Sequence, residues 1–116
     1  MGLDQYAYKH KPNQSEQAEE IAYWRKHNAL QGWMANFFEL KTGEKDMNCR
    51  EIYLEMQDLE MLEIAVLNNN LPQTQGFFFG SDSRNNDYQK RQTMEFIMEA
   101  KLALSEGYEV FYGANW

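Results

Sequence analysis

Two hydrophobic periods divide the chain. Tyr23, His27, Leu30, Met34 and Phe37 are spaced four, three, four and three apart, with Trp33 and Phe38 widening the stripe. That is how an amphipathic helix faces a core. It predicts one long helix, capped by Ser15 and stopped at Gly43. Glu16, Glu19 and Glu20 complement the positive end of its dipole. Ala18 stands where a capping box wants Glu or Gln. Gly32, inside the helix, weakens it by roughly 1 kcal/mol against alanine. Trp24, Asn28 and Gln31 would form a second stripe beside the core face.

Elsewhere the period changes. Leu3 to Lys9 alternates, with Leu3, Gln5 and Ala7 on one side and Asp4, Tyr6 and Tyr8 on the other, which predicts a strand. Lys9 to Asn13 is a polar connection ended by Pro12, and it places His10 in a loop. Lys41 to Asn48 is a second loop. Ile52 and Leu54 alternate with Glu51, Tyr53 and Glu55 in a strand over Cys49–Glu55. Leu59, Leu62 and Val66 mark a helix from about Gln57 to Asn69, leaving through the asparagines at 68–70. Thr93, Ile97, Ala100 and Leu104, with Phe96 and Ala103, mark another from Arg84 or Asn86 to Ser105, stopped by Gly107. Tyr108, Val110 and Tyr112 alternate in a last strand, and the terminal Trp116 should pack on the fold or on a neighbouring subunit.

Between the second and third helices lies Gly76-Phe77-Phe78-Phe79-Gly80. Three consecutive rings cannot all face one way on a strand, so the stretch is either buried on both faces or leaves a ring at a pocket. It is not a phosphate loop, because no Gly-Lys-Ser/Thr follows. The pattern as a whole predicts a single α+β domain over 1–116. Three to four short strands form a small antiparallel sheet covered by about three helices. The Phe77–Phe79 segment would be a further strand or a buried loop.

Composition then narrows the chemistry. Aromatic residues make up 15% of the 116 residues, which argues against disorder. A net charge of −7 disfavours generic binding to nucleic-acid backbone but not a local basic pocket. Cys49 is the only cysteine, so no intrachain disulfide or thiolate metal site can form, and a reducing cytoplasm fits. Two histidines make a histidine-rich metal site hard to assemble, and no cofactor motif is present. Met1-Gly2-Leu3-Asp4 has no basic start and no apolar run, so no signal peptide is expected, and the apolar runs are too short to cross a membrane. A short sheet with open edges and many aromatics leads us to expect a homo-oligomer.

Two groups of residues stand out. Arg84, Tyr88 and Arg91 are four and three apart, on one helix face if the helix reaches Arg84. With Trp24, Arg25, Asn28 and Phe78 they form the expected site for a small anionic, nucleotide-like ligand. Trp24 or Phe78 would stack on a base; Arg25, Arg84 and Arg91 would hold phosphate; Asn28 and Tyr88 would read polar edges. The bland alternatives are a Trp24 that caps the core edge and arginines paired with nearby carboxylates. The second group, Glu51, Glu55, Asp58, Glu60 and Glu63, reads as an acidic face that could meet a basic partner. An enzyme ranks third: His27, Asp4 or a glutamate could act as base, but no partner spacing singles one out.

Met1-Gly2-Leu3-Asp4-x-Tyr6, Tyr23-Trp24-Arg25-Lys26-x-Asn28 with Trp33, Gly76-Phe77-Phe78-Phe79-Gly80 after Leu71-Pro72, and the aromatic end at Trp116 form a set. Nearly the whole chain thereby resembles a family of small, largely uncharacterised bacteriophage and prophage proteins. The resemblance attaches no activity. It implies an accessory protein acting in the cytoplasm of an infected bacterium. Two jobs recur among such proteins: sequestering a host immune nucleotide signal, and blocking a host protein.

Overall fold

A computed structural model describes residues 2–12, 17–72, 75–76, 80–81 and 87–116. Its elements run β1 (Asp4–His10), β2 (Glu19–Arg25), α1 (Asn28–Thr42), β3 (Arg50–Leu54), α2 (Met56–Leu67), β4 (Gln75–Gly76), β5 (Gly80–Ser81), α3 (Asp87–Ser105) and β6 (Glu109–Asn115). Four of the strands form an antiparallel sheet in the order β2-β1-β6-β3. This is the expected α+β architecture. β4 and β5 pair separately, Gln75 with Ser81 and Gly76 with Gly80. Phe77–Phe79, expected as a strand or buried loop, lie outside the described residues.

The long first helix requires a correction. Its predicted N-terminal half, including Tyr23, Trp24 and Arg25, is the edge strand β2, and α1 begins only at Asn28. The chain turns between them at Lys26, which adopts a left-handed φ of 59°. His27 is the true N-cap: its Nδ1 accepts from the Leu30 amide at 3.5 Å. The proposed Trp24–Asn28–Gln31 helical stripe therefore does not exist. Trp24 is a strand residue, and Asn28 and Gln31 are buried on α1. The rest of the stripe stands, with Leu30, Met34, Phe37 and Phe38 all buried. Gly43 ends the helix in the left-handed conformation, its N–H donating to the Glu39 carbonyl at 2.8 Å.

One face of the sheet builds the core. Leu3, Ala7, Trp24, Ile52, Leu54, Val110, Tyr112 and Ala114 join a single cluster with Leu30 and Phe38 of α1, Leu59 and Leu62 of α2, and Phe96 and Ile97 of α3. Trp116 packs on this cluster and is tied to Asn48, whose Oδ1 accepts the Trp116 N–H at 3.0 Å.

The acidic group does not form one face. Asp58 is buried: it accepts from the Glu55 N–H at 2.8 Å and pairs with Lys41 at 3.1 Å. Glu63 pairs with Lys101 at 2.6 Å, linking α2 to α3. Glu51 lies on β3 and Glu60 on α2.

Candidate functional site

The turn from β2 into α1 is held from below by a buried glutamine. Gln5 shares the inward side of β1 with Leu3 and Ala7 and is fully buried. Its Oε1 accepts the His27 N–H at 2.8 Å, and its Nε2 donates to the His27 carbonyl at 3.1 Å. The side-chain amide thus satisfies the His27 N–H, which no regular structure reaches, and adds a second donor to the His27 carbonyl, which also accepts the Gln31 N–H at 3.1 Å as the first bond of α1. Gln5 Nε2 also donates to the Tyr112 hydroxyl at 2.9 Å, and that hydroxyl donates to Gln31 Oε1 at 2.7 Å. Burial pushes the Tyr112 phenol far above its ordinary range, so it stays a donor. The Lys26 N–H donates to the Leu3 carbonyl at 2.9 Å and closes the turn. Arg25 and Lys26 are left exposed on a fixed backbone.

Helix α3 runs against the edge of β2. Gln92 Nε2 donates to the Tyr23 carbonyl at 2.8 Å, so a side chain covers an edge acceptor that strand pairing leaves open. Phe96, one helical turn on, meets the Trp24 ring edge-on, with centroids 5.1 Å apart and planes at 83°. Trp24 is only 1% exposed, so its faces are not available to stack on a ligand. Its Nε1–H is buried and has no acceptor among the described residues. A buried donor left in that state costs about 1–3 kcal/mol.

Between β2 and the first turns of α3 lies a concavity of about 290 Å³, with walls that include Trp24, Arg25, His27, Tyr88 and Gln92. A second, of about 260 Å³, shares Tyr88 and Gln92 and adds Arg91 and Glu95. The structure therefore brings Trp24, Arg25, Tyr88 and Arg91 of the expected site into two adjoining hollows. Asn28 is buried and lines neither. Phe78 and Arg84 lie outside the described residues.

Arg25, Lys26 and Arg91 have no ion-pair partner among the described residues. Asp4, the cross-strand neighbour of Arg25, instead accepts from the Tyr23 hydroxyl at 2.7 Å. That hydrogen bond is the main reason the Tyr23 phenol is held above its usual range. Sequence reasoning missed His27 and Gln92 as walls and Gln5 as the support. Gln5 left a trace as a polar residue on the apolar side of an alternating strand and His27 as one on an apolar stripe; Gln92 left none.

Among the described residues, no group of three or more His, Cys, Asp or Glu side chains could hold a metal ion. Nor is any helix there long and apolar enough to cross a membrane. No family model matches the chain, and neither a curated protein nor a solved structure shows significant similarity to it.

Proposed function

We propose that the protein is a non-enzymatic binder of a small anionic, nucleotide-like ligand, held where β2 meets α3. The observation that carries this is the placing of two guanidinium groups, Arg25 and Arg91, without ion-pair partners among the described residues, on adjoining hollows in a chain of net charge −7. Arginine suits phosphate because its planar fork donates two hydrogen bonds at once. Tyr88, 68% exposed, takes over from Trp24 as the ring on which a base would lie. Glu95 on the outer wall disfavours an anion that fills both hollows with charge, and favours one with a localised phosphate.

The resemblance to phage proteins supplies a biological setting: capture of a host immune nucleotide in the bacterial cytoplasm, without turnover. The test is thermal shift of wild type, Arg25→Ala and Arg91→Ala against inorganic phosphate and mono-, di- and cyclic nucleotides. Each arginine removed should weaken binding about tenfold or more, the range for a lost charge-assisted hydrogen bond. The ligand-free melting curves should stay almost unchanged, because both side chains are exposed. A panel that never shifts the wild type overturns the proposal. The runner-up, a host-protein inhibitor working through an acidic face, would rest on the exposed Glu51, Glu55 and Glu60, since Asp58 is buried against Lys41 and Glu63 pairs with Lys101.

A further inference from the structure

The face of the sheet turned away from the helices carries an ordered grid. Strand registers place Glu20, Tyr8, Phe111 and Tyr53 in one row across β2, β1, β6 and β3. The neighbouring row reads Tyr23, Tyr6, Gly113 and Glu51. The rings touch: Tyr6–Tyr23 at 5.3 Å, Tyr6–Tyr8 at 6.1 Å, Tyr8–Phe111 at 5.4 Å and Tyr53–Phe111 at 5.6 Å between centroids. Tyr53 remains 59% exposed and Tyr23 40%. An aromatic row on a face that no described helix covers is not needed for the core, which lies on the other side.

The grid has one hole. Gly113 contributes no side chain, and over it opens a concavity of about 410 Å³ with Tyr6, Tyr8, Glu51 and Asn115 among its walls. A Cβ at Gly113 would come within 3.2 Å of Glu51 Cγ, so the glycine is what lets the glutamate lean across. Glu51 and Glu20 have no ion-pair partner among the described residues, and Arg50, which also lines this hollow, has its charge paired with Glu44. Both carboxylates face Tyr8: after burial, Glu20, Tyr6 and Glu51 in that order hold its phenol above the ordinary value.

We propose that this sheet face docks a basic segment of a partner protein, one arginine or lysine of which fills the hollow over Gly113, its stem along Tyr6 and Tyr8 and its charged head on Glu51. Charge complementarity selects that occupant. A second copy docked face to face would set Glu20 and Glu51 against like charges, and nucleic-acid phosphate would meet the same carboxylates. The aromatic floor accepts the methylene stem of a long cationic side chain, and the carboxylate accepts its head. This surface is separate from the anion hollow and does not depend on it.

The experiment is an NMR titration of the ¹⁵N-labelled protein with a synthetic Arg/Gly-rich peptide, a matched Glu/Gly-rich peptide and a single-stranded oligonucleotide. The basic peptide should bind, with its largest shifts at Tyr6, Tyr8, Phe111 and Gly113. Glu51→Gln and Gly113→Ala should each weaken it about tenfold, a charge pair lost in one case and the hollow narrowed in the other. Glu60→Gln, on the exposed side of α2, should leave affinity unchanged. Glu51→Gln keeps the test decisive if Gly113→Ala disturbs the strand. Equal weakening by Glu60→Gln and Glu51→Gln would reduce the binding to general acidity and overturn the proposal, as would shifts caused by the oligonucleotide or no shift with the basic peptide.

Discussion

Trp24 shows how one side chain can serve the core and still bear on the site. Its ring is packed against Phe96 and Tyr112, while its N–H lacks an acceptor among the described residues. Trp24→Ala should therefore cost about 3–5 kcal/mol in urea unfolding, the range for deleting a large buried aromatic. Trp24→Phe keeps most of the ring volume and removes an unsatisfied donor, so its stability cost should be much smaller. Gln5 predicts the opposite pattern. Gln5→Leu would orphan the buried His27 N–H, whereas the His27 carbonyl keeps the Gln31 N–H and the Tyr112 hydroxyl keeps Gln31 Oε1, and it should destabilise by roughly 1–3 kcal/mol. A Gln5→Leu melt close to wild type would show that the turn is held by other means. Trp24 and Arg25 were legible as candidates from residue type alone. Packing of Trp24 on the core was one of the readings its residue type left open; that a strand rather than a helix carries it there was not legible.

At the scale of elements, the sequence was read correctly where one period persists and misread where two elements abut. Tyr23 and His27 are four apart and mimic a helical step, yet the turn at Lys26 separates them. Alternation within β2 is also interrupted. Ala7 pairs with Ala22 and Tyr8 with Glu20, so Ile21 is an extra residue and the period of two is lost. β1, β3, β6 and the stripes of α2 and α3 have no such interruption and lie close to their predicted positions. The acidic group makes a related point, since spacing cannot tell a helix cap from a solvated carboxylate. Asp58→Ala should cost about 1–2 kcal/mol, through loss of the bond to the Glu55 N–H and of the Lys41 pair. Glu60→Ala, exposed on the same helix, should stay within about 0.5 kcal/mol. Matching chemical-denaturation curves for the two variants would contradict that division.

For the whole molecule, strand order was beyond the reach of local pattern. β6, last in the chain, lies between β1 and β3, and no periodicity encodes that long-range pairing. The order matters because it leaves β2 at an edge, where α3 can close over it and form the hollows. The expected self-association would draw on Met61, Ile64 and Leu67 of α2 and Met98 and Leu102 of α3, all more than half exposed. Sedimentation should show a species heavier than 13.8 kDa that Ile64→Glu or Leu102→Glu returns to the monomer. A wild type that stays monomeric at tens of micromolar would remove that expectation.

The central claim is that an anion is captured between β2 and α3, in the hollow that Trp24 helps to line. Of the three tryptophans, only Trp24 lines the hollow; Trp33 and Trp116 lie elsewhere. The most direct measurement follows the three indole N–H resonances of ¹⁵N-labelled protein through titrations with inorganic phosphate and with mono-, di- and cyclic nucleotides. The account predicts that at least one nucleotide moves the Trp24 indole resonance to saturation while those of Trp33 and Trp116 hold still, and that Arg25→Ala reduces the effect at the same ligand concentration. A Trp24 resonance that stays fixed across the whole panel, or that moves only together with the other two, would contradict it.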